Sequence, residues 1–388
     1  PGNGQLLLDG GQTADPRAAA FHNAALMHAR TQDDFHPIGN LHIATIVLPA
    51  LLAEAQRMPG LPGEAFLDAL AVGYAASTGL SRRFSPLTTP RGLRSTSLYG
   101  TMGAAAAVAR LRGLGPEGIA NTVALATQSS FGTTQCWRDG SDEYQLHVAN
   151  AASQALLCAD LSEAGVVGGE GALTGASGFF AALMGTVPVF ADIEADFDAD
   201  AAIVDTVLKR YPVSGICQPV VRLTERLAPG LQLSAVRTVL LEMNDFEMRY
   251  PGTLNAGPAF RSFSDRLMSA RFCLASVLAA GRFELESFLR PPSAEVSRLV
   301  AATQVQAGPD LGTLSCRLTV TLEGGATVGG ELRDGGRELA IDESTIGPWC
   351  QDLWEAAGRP TGASARAAAA VSALPQTPFE QLLRALAP

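Results

Sequence analysis

Lysine is almost missing from this chain: Lys209 stands alone among 28 lysines and arginines in 388 residues. Where arginine has replaced nearly every other basic residue, a surviving lysine is a candidate for a role that needs an amine able to lose its proton. Cysteine is sparse as well, with Cys136, Cys158, Cys217, Cys273, Cys316 and Cys350 scattered and none in a CxxC pair. That spacing excludes zinc ribbons and disulfide scaffolds and fits reduced core thiols. Long apolar runs are absent. The stretch from Ile43 to Ala53 is closed by Glu54, short of the ~18 residues that a membrane helix needs. No GKS/T, GxSxG, HExxH or HxH appears, which removes support for a phosphate loop, a serine hydrolase or a zinc protease. Positive charge is in deficit too. A net charge of −10 and a pI near 5.1 repel phosphate backbones and exclude nucleic acid as a partner. The expectation is a cytoplasmic protein that acts on a small molecule, away from membranes.

What is present is apolar and helical. Hydrophobic residues make up 47% and charged residues 17%, enough for a large core. After a Gly-rich opening read as a loop or strand-like arm, Asp15-Pro16 predicts a helix start, a cap followed by proline at the first helical position. Helical patterns follow in AAAFHNAALMHA, IATIVLPALLAEAQ and EAFLDALAVGYAASTGL. RRFSPLTTPRGLRST reads as a basic loop. SLYGTMGAAAAVARLRGL, EGIANTVALATQSS and YQLHVANAASQALLCADLSEAG read as helices. Beyond residue 208 the texture changes. LSAVRTVLLEM has strand character, FSDRLMSARFCLASVLAAG reads as one helix, and LSCRLTVTLEGGATVGGEL predicts a hairpin around Gly324-Gly325. The expected fold class is mainly α: a helical domain over 1–208, an inserted smaller α+β domain over 209–342, and helices over 343–388 that rejoin the first domain.

Three of the five histidines fall in one stretch, His28, His36 and His42, around Asp33 and Asp34. Imidazole titrates near neutrality and a carboxylate can orient it, so the stretch fits proton transfer. Metal binding and an ordinary capped surface loop remain as alternatives. RGLRSTS over 91–97 places Arg94 and Ser97 at a helix start, which fits an anion cradle or a plain cap with solvated arginines.

Four ordered segments resemble the MmgE/PrpD family. They are HARTQDDFHPIGNLHIATIVLPALLAEA, RGLRSTSLYGTMGAAAAVARLRGL, LHVANAASQALLCADLSEAG and the Lys209-Arg210-Tyr211-Pro212 start of the α+β part. Together they run from about Asp15 to Pro212. The resemblance implies metal-free, cofactor-independent acid–base chemistry next to a carboxylate or carbonyl: a lyase, dehydratase or isomerase, as a homodimer under a closing α+β lid. It also implies that the opening helices of the family's helical domain are missing here. By the same resemblance His42 is the active-site histidine and Lys209 the lysine facing the cleft, with Asp33 and Asp34 keeping the family's acids. Thr31 stands where a further acid is usual. Arg94 replaces a second active-site histidine, and Tyr144 stands in for a lysine. Ser214 and Gln218 occupy places where histidines are common. The expected catalytic set is His42, Lys209, Tyr144 and Asp34. Arg94, Asp33, Thr31, His36 and Ser97 are expected to bind substrate, with no metal. The altered pocket leaves open a cyclase or isomerase of specialised metabolism and a non-catalytic ligand-binding relative.

Overall fold

Alanine and glycine set how closely the helices approach. In a computed structural model that describes residues 4–6, 11–13, 15–257 and 260–387, five helices build the first layer: α1 (Pro16–His28), α2 (Ala44–Ala55), α3 (Gly63–Thr88), α4 (Ser95–Leu111) and α5 (Pro116–Ala126). A short α6 (Gln135–Asp139) precedes the long α7 (Glu143–Glu163). All of α4 but Arg110 is buried. A Cβ at Gly103 would lie 1.9 Å from Ser77 Oγ and 2.7 Å from the Gly73 carbonyl, and one at Gly100 would lie 2.6 Å from Ile46 Cδ1. Backbone therefore touches backbone where α3 crosses α4. Gly103→Ala is expected to destabilise the protein by about 1–3 kcal/mol despite alanine's better helix propensity, because overpacking against a carbonyl has no cheap relief. A lowered denaturant midpoint checks this.

Asp15 caps α1 as the sequence predicts, its carboxylate accepting from the Arg17 N–H at 2.9 Å. Of the opening arm, β1 (Gly4–Gln5) pairs antiparallel with β2 (Gln12–Thr13); the rest of that expectation falls outside the described residues. The expected basic loop after residue 80 is instead the last two turns of α3, which runs through Pro86 to Thr88. Tertiary contacts outweigh the helix-breaking tendency of proline. Arg82 pairs with Asp205, Arg83 with Asp196 at 2.7 Å, and Ser85 Oγ donates to the Gly39 carbonyl at 2.7 Å.

Two short strands, β3 (Asp34–Phe35) and β4 (Val207–Leu208), pair antiparallel across the chain. Further on, β5 (Val236–Met243), β6 (Thr303–Ala307), β7 (Cys316–Leu322) and β8 (Thr327–Leu332) form one sheet in the order β6-β5-β7-β8. β5 and β6 are parallel and the other pairs antiparallel. The β7–β8 hairpin turns at Gly324 and Gly325, both at positive φ, as the Gly-Gly pair predicts. Val239, Leu241, Met243, Leu318 and Val320 alternate inward against helices 218–227, 270–280 and 294–302. The single helix expected over 263–280 is broken at Ser269, whose Oγ accepts from the Phe272 N–H at 3.1 Å and starts a second helix. That break turns Leu267 and Met268 toward the helical layer.

The chain is mainly helical, with one four-stranded sheet and two short strand pairs among the described residues. Apolar side chains fall into two large clusters, one from the helices and one from residues 211–332 around the sheet. The C-terminal helices join the first: Leu374, Phe379 and Leu382 are buried there, and Phe379 stacks on Phe66 at 4.7 Å between ring centroids. A third, small cluster bridges the two, made of Cys136, Trp137, Tyr144, Leu267 and Met268. Five of the cysteines are buried and all six are free thiols. Among the described residues no helix is long and apolar enough to cross a membrane.

Candidate active site

The β3–β4 ladder assembles the site. It pairs Asp34 with Leu208, and the Lys209 N–H donates to the Asp33 carbonyl at 2.9 Å. Residues far apart in sequence are thereby neighbours. Before β3, the chain leaves α1 at His28 and passes through Thr31 at φ 49°, a strained conformation for a β-branched residue. After it, the Gly39 N–H donates to His36 Nδ1 at 2.9 Å, and Asn40 takes φ 51°. The turn delivers His42 just ahead of α2.

These segments converge on Asp33. Lys209 Nζ lies 2.8 Å from Asp33 Oδ1, His42 Nδ1 lies 3.1 Å from the same oxygen, and His28 Nδ1 bonds Oδ2. His42 Nδ1 also stands 2.7 Å from the Asp34 carbonyl. A carbonyl can only accept, so Nδ1 carries the proton and Nε2 is left with a free lone pair. Burial depresses the His42 pKa, as does the neighbouring Lys209, so the ring is neutral and basic at pH 7. His28 is buried completely, and burial pulls it down to about 3. Its Nδ1–H therefore donates to Asp33, while its Nε2 accepts from Arg94 Nη2 at 2.6 Å. Burial works to raise the Asp33 pKa, but Lys209, His42 and His28 together hold it well below the usual carboxylate range. Lys209 is depressed by burial, with Asp33 opposing. Asp33 engages one of its three N–H donors at 2.8 Å, which leaves the others to donate elsewhere.

A cavity of about 30 Å³ opens beside this group. Its walls join polar side chains, His28, Thr31, His42, Arg94 and Lys209, to Tyr250 and the small bridging cluster of Trp137, Leu267 and Met268. Thr31 also lines it, its Oγ1 buried and without a hydrogen-bond partner among the described residues, and Asn40 bonds the Tyr250 hydroxyl there. Buried polar atoms are normally paired, so an unpaired hydroxyl on the cavity marks a ligand position.

Most of the other expected site residues lie elsewhere. Tyr144 is off the cavity wall: its hydroxyl donates to the Ala29 carbonyl at 2.9 Å, and burial pushes its pKa up to about 12. It serves Arg94 through its own carbonyl, which accepts from Nη1 at 2.7 Å. Asp34 is a helix cap, its carboxylate accepting from the Ala44 N–H at 3.0 Å and from the Tyr74 hydroxyl at 2.8 Å. Burial and then Asp33 push Asp34 up to about 7. His36 is a turn acceptor off the cavity, and Ser97 Oγ donates to the Arg94 carbonyl at 3.2 Å. Gln218 braces its own loop, bonding the Tyr211 N–H and carbonyl. Arg94 reaches the cavity, but His28, Tyr144 and His147 hold its guanidinium, which lies 5.2 Å over Trp137. His28, Asp33 and His42 also offer three ligand atoms within 4.8 Å of one another. Both histidine Nδ1 atoms are already donors, and Lys209 occupies Asp33, so the donor set does not suit a divalent ion.

Tyr250 and Trp137 are the residues that sequence reasoning missed. Their only signal is rarity, since no spacing connects them to the histidines. Tyr250 follows a short helix (245–249) whose Glu247 is buried, accepts from the Leu314 N–H at 2.8 Å and leaves Oε2 unpartnered among the described residues. Burial pushes Glu247 up to about 8 from 4.5. The fold therefore holds a proton that the unfolded chain releases, and stability falls as pH rises from 4.5 to 8. Glu247→Gln is expected to unfold at a higher temperature than wild type at pH 8 and at an equal one at pH 4.5, by scanning calorimetry.

Fold and site together define a mainly helical protein with a buried histidine–carboxylate–lysine constellation at the seam of two apolar clusters. Residues 2–189 match the MmgE/PrpD N-terminal domain, and this part of the chain belongs to the MmgE/PrpD family. Relatives include the cis-aconitate decarboxylase-like protein oryM of Aspergillus oryzae, 33% identical over 160 residues, 39% of this chain and 33% of that one. Human cis-aconitate decarboxylase is 25% identical over 329 residues, 80% of this chain and 66% of the human protein. The Aspergillus terreus cis-aconitate decarboxylase is 28% identical over 175 residues, 44% and 36% of the respective chains. The matches thus span from one third to just under two thirds of these relatives' lengths.

Proposed function

We propose that this chain is a lyase-type acid–base enzyme that acts on a small polycarboxylate without a metal or cofactor. The observation that carries the reading is the meeting of His42 and Lys209 on one Asp33 oxygen, with His42 Nε2 unprotonated. In this reading His42 Nε2 takes a proton from the carbon next to a carboxylate. The electron pair passes into that carboxylate, whose oxygens Lys209 and Arg94 stabilise, and then expels a group from the adjacent carbon. Lys209 supplies the proton that the departing group needs. Asp33 holds both partners, and Thr31 offers the substrate a further hydrogen bond. Decarboxylase names among the relatives support the class. A cavity of about 30 Å³ holds about two waters, so the region over 209–342 acts as a lid that parts to admit substrate.

Proton NMR in deuterium oxide with cis-aconitate, trans-aconitate and citrate tests this. The expected result is deuterium incorporation or conversion of at least one acid by the wild-type protein. Three unchanged spectra would remove the polycarboxylate reading.

A further inference from the structure

We propose that a second cavity, beside the reaction cavity, is an anion-docking vestibule that holds a carboxylate of the substrate while its reacting carbon lies at His42. This cavity measures about 550 Å³, within the range of small-molecule sites. Its lining comes from three segments: the turn of Thr89–Gly92, Thr133 to Gln135 with Arg138 around the start of α6, and Asp245, Phe246 and Arg249 to Pro251. Tyr250 lines both cavities, so the two adjoin at this residue. Three arginines, Arg91, Arg138 and Arg249, line the vestibule against a single carboxylate, Asp245.

Asp245 offsets only one of them, accepting from Arg249 Nε at 2.8 Å. Arg91 makes one long contact, 3.4 Å to the Leu183 carbonyl. Arg138 has no hydrogen bond or ion pair among the described residues. A local excess of two positive charges on a chain of net charge −10 is a focusing field for an anion. Guanidinium groups suit it, since each presents paired donors to carboxylate or phosphate oxygens. The mismatch in size supports the same division of labour. A substrate with several carboxylates outgrows the reaction cavity, and the vestibule is the adjoining space with matching charge.

The inference depends on the proposed function only for where the reacting carbon lies; anion docking is measured apart from turnover. Isothermal titration calorimetry with tricarballylate and with inorganic phosphate would be run on wild type, Arg138→Ala/Arg249→Ala, His42→Gln and Arg282→Ala. Arg282 is exposed, pairs with Glu284 away from both cavities, and controls for net charge. Expected is tricarballylate binding to wild type, His42→Gln and Arg282→Ala alike, weakened at least tenfold in the double variant and weakened by added salt. Phosphate binding tighter than tricarballylate would overturn the carboxylate assignment. Equal tricarballylate affinity in the double variant, or none in wild type, would overturn the vestibule. Wild-type turnover in His42→Gln would instead sink the catalytic reading and leave the docking site standing.

Discussion

His42→Ala lowers turnover by about 10²–10⁴-fold, the usual contribution of a positioned acid or base, while the melting temperature changes little. The ring is neutral, borders the cavity and carries no buried ion pair of its own once Lys209 holds Asp33. Its Nδ1–H is fixed by the Asp34 carbonyl at 2.7 Å, which aims Nε2 rather than supporting the fold. Burial and Lys209 depress the ring's pKa, so the acid limb of the turnover profile is expected below pH 6.5. A limb at or above 6.5 would assign the base elsewhere. Wild-type turnover in His42→Ala would end its catalytic role.

Lys209→Met is expected to abolish turnover and to destabilise the fold by about 3–5 kcal/mol, the range for breaking a buried ion pair. Lys209 is 1% exposed, and its removal leaves the Asp33 carboxylate buried with only neutral imidazoles beside it. Asp33 then has to take up a proton. In wild type its depressed pKa makes the ion pair's stabilisation complete above about pH 4, near the unfolded value, and lost as pH falls further. Lys209→Met is therefore penalised most at neutral pH and least in acid. Adding Asp33→Asn to Lys209→Met removes the stranded charge and is expected to recover most of the stability but none of the activity. Lys209→Arg keeps the charge, yet a guanidinium does not readily give up its proton, and activity is not expected to return. Chemical denaturation at pH 4 and pH 7, read beside turnover, separates the two effects. An unstable double variant would mean that Asp33 is held by something other than charge balance.

Much of this architecture is legible in the amino-acid order alone. Proline after aspartate at α1, the Ala/Gly run of α4 and the Gly-Gly hairpin are local patterns with local causes. The lone lysine and the acid-flanked histidines also point at the site, because their residue types carry the chemistry wherever they land. What sequence could not supply was orientation. Tyr144 and Asp34 are in the right region but face a backbone carbonyl and a helix start. The extension of α3 through Pro86 was equally hidden, because the contacts that stabilise it, Arg83 with Asp196 and Ser85 with Gly39, join distant segments.

By itself, the sequence determined the mainly helical character, the family and the set of groups able to move a proton, since periodicity and side-chain chemistry belong to the chain. Tertiary structure alone decided that Lys209 reaches Asp33 through a two-residue ladder, that Arg94 is braced by His28, and that Tyr250 lines two cavities. Those facts follow from which backbone groups pair across long sequence separations, and no local propensity encodes that choice.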